Sequence, residues 1–184
     1  MKVYILSFLV LSAMVFSTAK AQPNAAHAND ILKQAYKLAA KENKNVFLMF
    51  HASWCGWCHK MDSSMNDSLC KELFENNYII THLDVLEHDT KKNLENPGAM
   101  DLLKKYHGDN QGIPFWLIFD KNGKLLADSQ IRKEDAGLNE PGKNVGCPAS
   151  KEEVAHFMEV LMKTSSLNEN QLAVIAKRFS LNAN

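Results

Sequence analysis

Val46-Phe47-Leu48-Met49-Phe50-His51-Ala52-Ser53-Trp54-Cys55-Gly56-Trp57-Cys58-His59 runs a strand-like apolar block straight into two cysteines three positions apart. The run Val46 to Phe50 is continuously apolar instead of alternating, as expected of a strand buried on both faces. Two thiols at this spacing can close a disulfide with each other. If a helix begins near Cys58, both sulfurs sit at its N-terminus, where free N–H groups and the macrodipole favour the thiolate. Such a setting lowers a cysteine pKa from about 8.5 into the range of roughly 3.5 to 7.5, which makes one of the pair a nucleophile at neutral pH. Other readings compete. Cys55-Gly56-Trp57-Cys58-His59 also spells C-x-x-C-H, the attachment pattern for c-type haem with His59 as iron ligand. A zinc site would need two more closely spaced ligands, and Cys70 and Cys147 are isolated. A purely structural disulfide closing so short a loop restrains little of the unfolded chain.

A second landmark lies downstream. Gly112-Ile113-Pro114 is followed by a strand Phe115 to Phe119, a turn Asp120-Lys121-Asn122-Gly123 and a second strand from Lys124. Together with Trp54-Cys55-x-x-Cys58 behind an apolar strand, this resembles the cis-proline hairpin and redox motif of the thioredoxin superfamily, with the landmarks spread from about Asn29 to Met162. Ala40-Lys41-Glu42-Asn43-Lys44 before the strand and Trp57-Cys58-His59-Lys60-Met61 after it look most like secreted thioredoxin-like proteins and the periplasmic reductase domains of thiol:disulfide interchange proteins. The resemblance implies an α/β thioredoxin fold, a central mixed β-sheet flanked by helices, here with an extra C-terminal helix. It also implies thiol-disulfide exchange on protein disulfides, as a reductase, with oxidase or isomerase as the alternative direction. A binding or chaperone-like module that keeps the fold without turnover is the alternative from another class. A haem protein predicts none of the downstream landmarks.

The N-terminus places that chemistry. Lys2 is a short positive region, Val3 to Phe16 an apolar core, and Ala19-Lys20-Ala21 an A-x-A cleavage pattern, which together read as a signal peptide. The apolar core is shorter than the roughly 20 residues of a membrane span. The expected product, residues 22–184, is periplasmic or secreted. Lys and Arg number 21, as do Asp and Glu; cleavage near Ala21 removes Lys2 and Lys20 and no acid, leaving 19 basic against 21 acidic residues. Nothing in that balance suggests a nucleic-acid partner. One close pair and two single cysteines do not make a disulfide scaffold.

Residues 22–184 read as one thioredoxin-like domain with its core at about 29–163 and a helical appendage at about 167–180. Asn29 caps a first helix ending near Asn43, and a second helix runs from about Cys58 to Phe74 with a break near Asp67. Tyr78 to Leu83 is a strand parallel to the first. The polar stretch Glu87 to Gln111 holds one helix, Ala99 to Tyr106, and makes the 56-residue gap between Cys58 and Pro114 long for a minimal fold. Arg132 to Ala149 reads as an inserted loop. Ser150 with Glu153 forms a capping-box pattern before a helix Glu152 to Lys163, and Glu169 to Phe179 is a last helix with an apolar face of Leu172, Ile175 and Ala176.

In these terms Cys55 attacks a substrate disulfide, and Cys58 resolves the mixed disulfide. The redox-active Cys55–Cys58 disulfide is the only cofactor expected. The partners are protein disulfides and an upstream thiol electron donor, which could be membrane-bound. Ile113 and Pro114, the latter cis by resemblance, hold a substrate strand. Trp54 and Trp57 frame the sulfurs, although Trp54 is as readily a core residue. His59 either tunes Cys58 or faces solvent. Thioredoxins place a buried acid six positions before the first cysteine; here that position is Met49, so a base must come from water, His59 or another carboxylate. Cys70 reads as a small core hydrophobe. Cys147 lies in a loop entering the final core helix at the active-site end, either as an idle thiol or as a third exchange partner. A Cys70–Cys147 disulfide is disfavoured by their placement at opposite ends.

Overall fold

The computed structural model describes residues 25–183, and the leader read at residues 1–21 lies outside the described residues. Twelve regular elements follow in order: α1 (Ala28–Glu42), β1 (Asn45–His51), α2 (Gly56–Met65), α3 (Lys71–Glu75), β2 (Tyr78–Asp84), α4 (Ala99–Lys105), β3 (Phe115–Phe119), β4 (Leu125–Asp128), β5 (Gln130–Ile131), β6 (Lys143–Asn144), α5 (Lys151–Thr164) and α6 (Glu169–Ser180). A four-stranded sheet has the order β2-β1-β3-β4, and β5 and β6 form a separate two-stranded ribbon. β1 is parallel to β2 and antiparallel to β3, and β3 is antiparallel to β4, so the sheet is mixed.

β1 is apolar throughout because it is central and covered on both faces. Phe47 and Met49 join Trp116, Ile118, Phe74, Phe157 and Phe179 in one core cluster, whereas Val46, Leu48 and Phe50 join Leu32, Leu103, Phe115 and Leu117 in another. α2, α3, α5 and α6 therefore cover one face, and α1 and α4 the other. The last helix is not peripheral: Phe179 is fully buried, its ring centroid 5.0 Å from that of Phe157.

Several expected boundaries move. The N-cap of α1 is His27, whose ring nitrogen accepts from the Asn29 N–H, so Asn29 lies inside the helix it was expected to cap. α2 begins at Gly56 instead of Cys58, and the expected second helix is two, separated by a turn in which Asp67 Oδ1 accepts from the Leu69 N–H at 3.0 Å. A 3₁₀ turn at Asp89–Leu94 occupies part of the long polar segment. The inserted loop carries β6 and folds back onto β5. The Ser150–Glu153 capping box forms as expected, and a second one, Asn168 with Gln171, opens α6.

Candidate active site

β1 delivers the chain to the open end of the sheet and α2 starts immediately beyond it, so the two cysteines sit at the junction. Cys55 is itself the N-cap of α2: its sulfur accepts the Cys58 N–H at 3.1 Å. An N-cap sulfur so placed receives a helix N–H and the positive end of the dipole, the setting that stabilises a thiolate once the pair is reduced. Cys55 and Cys58 are joined in a disulfide with Cα atoms 5.2 Å apart. They pack with Ala52 and Ile113 in a small apolar cluster. Cys55 is 3% accessible against 0% for Cys58, so its sulfur is the more open of the two and is reached only by a narrow approach.

That approach is bounded by the β3 lead-in. The Ile113–Pro114 peptide is cis, and the Ile113 carbonyl oxygen lies 3.5 Å from Cys55 Sγ. Pro114 is buried and Ile113 half-buried. Beside them runs a shallow groove of ≈ 270 Å³ walled by Trp57 of α2 and by Asn144, Gly146 and Cys147 of the inserted segment. Asn144 Nδ2 donates to the Gly112 and Pro114 carbonyls at 2.6 and 3.1 Å, tying the β6 end to the proline turn. A larger cavity of ≈ 820 Å³, lined by β4, residues 130–138 and α5, shares no residue with this groove.

Both tryptophans near the sulfurs are about half exposed, at 47% for Trp54 and 50% for Trp57, which removes core packing as the role of Trp54. Trp54 Nε1 donates to the Leu86 carbonyl at 2.8 Å and its ring stacks on His88. Trp57 carries the Lys60 ammonium 4.7 Å from its ring centroid. His59 is exposed, and its Nε2 lies 3.0 Å from the Ser53 carbonyl oxygen, so it braces the loop before the cysteines.

Two features were not legible beforehand. The first is Glu87, 3% accessible, whose carboxylate accepts from the Ser53 N–H and, at 2.9 Å, from the Ser53 hydroxyl, while Lys91 donates to that hydroxyl at 3.0 Å. Burial raises its pKa, but the two Ser53 bonds with Lys91 and His88 outweigh burial and hold the carboxyl below its ordinary range. The second is a polar layer beside Met49, which is 1% accessible. His82, register partner of Met49, lies with Nε2 2.9 Å from Asp62 Oδ1; His51 Nε2 lies 3.2 Å from Asp84 Oδ1; the two rings are 4.8 Å apart. Burial, then His82, holds His51 below the ordinary imidazole range against the pull of Asp84, and burial pushes Asp84 up.

Cys70 and Cys147 are both free and buried. Burial raises both thiols, Cys147 to about 12 against the opposing pull of Lys60 and Arg178. A thiol held protonated and 5% accessible is no exchange partner, so the idle alternative describes Cys147 in this state.

The thioredoxin-like family model matches residues 27–121, just over half of the 184-residue chain, spanning α1, the cysteine pair, the cis-proline and β3. The chain belongs to the thioredoxin-like family. It is similar to a protein disulfide-isomerase of Hordeum vulgare, at 25% identity over 114 residues, 62% of this chain but 20% of that protein. Among solved structures it is similar to a disulphide isomerase from Xylella fastidiosa Temecula1 (23% identity, TM-score 0.46, 61% of this chain and 80% of that one). It is also similar to a DsbH oxidoreductase (20% identity, TM-score 0.41, 82% and 95%). β4, the inserted segment, α5 and α6 lie beyond the family match, so this thioredoxin-like chain builds one wall of its groove from residues that the match leaves out.

Proposed function

We propose that this protein is a thiol-disulfide oxidoreductase that reduces protein disulfides outside the cytoplasm. The observation that carries the reading is Cys55 at the N-cap of α2, bonded to Cys58 and 3.5 Å from the carbonyl that precedes Pro114. In the reduced protein the Cys55 thiolate attacks one sulfur of a substrate disulfide, forming a mixed disulfide and releasing the other substrate sulfur as a thiolate that takes up a proton. Cys58, deprotonated, then attacks Cys55, reforming the internal disulfide and releasing the second substrate thiol. Two electrons have passed to the substrate, and an upstream dithiol restores them; no cofactor beyond the cysteine pair takes part. The substrate strand lies along the groove, with Ile113 and Pro114 supplying backbone and Trp54 and Trp57 supplying apolar contact. The leader-like Lys2, Val3–Phe16 and Ala19-Lys20-Ala21 support export.

The division of labour is tested by trapping. Cys58→Ser should accumulate mixed disulfides with protein substrates on non-reducing gels, and Cys55→Ser should not; equal trapping by both, or none by either, refutes the assignment. Equilibration with glutathione decides direction: a potential near that of thioredoxin, about −270 mV, marks a reductase, and one near −120 mV an oxidase.

A further inference from the structure

Near the end of the chain, outside the family match, one residue bonds Cys147 on one wall of the groove and the lysine that covers Trp57 on the other. Asn182 lies in a 3₁₀ turn, Leu181–Ala183, that follows α6, and it is 3% accessible. Its Nδ2 donates to the Pro148 carbonyl at 3.2 Å and to Cys147 Sγ at 3.4 Å. Its Oδ1 accepts from the Ser64 hydroxyl of α2 at 3.0 Å and from Arg178 at 3.3 Å, and its carbonyl accepts the Lys60 ammonium at 2.9 Å. Lys60 is the same ammonium that sits over Trp57.

The Asn182 side-chain amide thus joins the Cys147–Pro148 wall to α2 through Ser64, and the main-chain carbonyl of the same residue holds Lys60, the ammonium over Trp57. α6 does not require these bonds to dock, because Leu172, Ile175 and Phe179 already bury its apolar face. A buried amide whose donor and acceptor are both engaged fixes one arrangement, since moving either wall leaves a polar group unsatisfied.

We propose that Asn182 is a positioning residue for the groove, setting the spacing of its two walls and thereby the preference for extended polypeptide disulfides over small ones. The proposal rests on the oxidoreductase reading. A polypeptide substrate lies along the groove, whereas a small disulfide needs only the approach to Cys55; loosening the walls therefore weakens the first selectively.

The test uses the full chain with Asn182→Ala and Asn182→Asp, the latter keeping the acceptor for Ser64 and Arg178 while removing the donor to Pro148. With the Cys55–Cys58 disulfide intact, alkylation of Cys147 should accelerate about tenfold in both variants while Cys70 keeps its wild-type rate, the equivalent of losing one or two buried hydrogen bonds. The ratio of kcat/KM for insulin to that for oxidised glutathione should fall about tenfold, carried by KM for insulin. Cys147 labelling and a kinetic ratio both within twofold of wild type overturn the proposal. A joint rise in Cys70 and Cys147 labelling also overturns it, since that marks general loosening of the core. Should Asn182→Ala fail to fold, Lys60→Met removes the ammonium that bonds the Asn182 carbonyl and sits over Trp57 while leaving the Asn182 side-chain bonds to Cys147 and Pro148, and should lower the kinetic ratio alone; an unchanged ratio counts against the proposal. A wild-type protein inactive on both disulfides refutes the oxidoreductase reading instead, and the labelling comparison then decides whether Asn182 holds the Cys147 wall.

Discussion

Replacing Glu87 tests whether the loop before the cysteines is clamped as the structure has it. The carboxylate accepts two bonds from Ser53 while being 3% accessible. A hydrogen bond to a charged group contributes about 1.5–3 kcal/mol, and a buried donor left unpaired costs about 1–3 kcal/mol. Ser53 is half-buried and keeps Lys91 as a partner, so the sum is discounted toward the low end. Glu87→Ala should lose about 2–3 kcal/mol, and Ser53→Ala about 1 kcal/mol, since it removes the hydroxyl's bonds to Glu87 and the exposed Lys91 but keeps the Ser53 N–H on the carboxylate. Urea denaturation at pH 7 measures both as a shift in midpoint at constant slope. The pH dependence has a definite sign. The folded carboxyl lies below its ordinary value of 4.5, so its contribution is present above that value and is lost as pH falls through the folded pKa. The gap between wild type and Glu87→Gln should therefore close as the pH is lowered below the ordinary glutamate range. A loss under about 0.5 kcal/mol for Glu87→Ala at pH 7, within the range of an inconsequential surface change, refutes the clamp. So does a Glu87→Gln gap that persists undiminished in acid.

Cys147 sets an alkaline limb: its thiol is raised to about 12 from an ordinary 9.0, so its contribution is present below 9.0 and is lost as pH rises toward 12. Cys147→Ala should flatten that limb by up to about 1.4 kcal/mol per pH unit, leaving the part due to Tyr36 and Tyr78, also raised to about 12; parallel stability profiles contradict it. Met49→Asp places a carboxylate at a 1% accessible position opposite His82 and Trp116, which should cost several kcal/mol on thermal or urea unfolding. In the folded variant the pH profile of insulin reduction should shift; an unchanged profile means that another group already serves as base for Cys58.

The architecture was legible because its signals are local. A continuous apolar run is what a central strand covered on both faces requires, and Val46–Phe50 has no polar residue to suggest otherwise. Ser150 and Glu153 lie three apart and satisfy one another across one helical turn. Where the reading missed, a side chain played a part its type does not advertise. His27 caps α1 although Asn29 is the commoner capping residue. Cys55 caps α2 with a sulfur, so the helix starts two residues before the apolar spacing suggests. The short β6 forms only because the inserted segment returns to β5, a pairing across the intervening residues 132–142 in which neither partner has a strand pattern of its own.

The supports of the candidate site were illegible for the complementary reason. Cys55, Cys58 and Pro114 belong to motifs, whereas the residues that hold them act across long separations. Glu87 reaches Ser53 34 positions away, Asn144 reaches Gly112 32 positions away, and Asn182 reaches Ser64 118 positions away. An Asp, Glu or Asn on a polar stretch is ordinarily a solvated surface residue, and no periodicity distinguishes the few that the tertiary fold will bury. Met49 shows what this implies for the chemistry. The sequence marks the absence of an acid at that position but cannot show that His82, its register partner, stands on Asp62, one helical turn beyond Cys58 on α2. Polar groups are instead gathered beside Met49, where His51 pairs with Asp84 and His82 with Asp62. Whether they take part in proton transfer at Cys58 is what the pH profile of Met49→Asp reads out. A buried carboxylate added there competes with a base already present or supplies one that was missing, and only the second moves the profile.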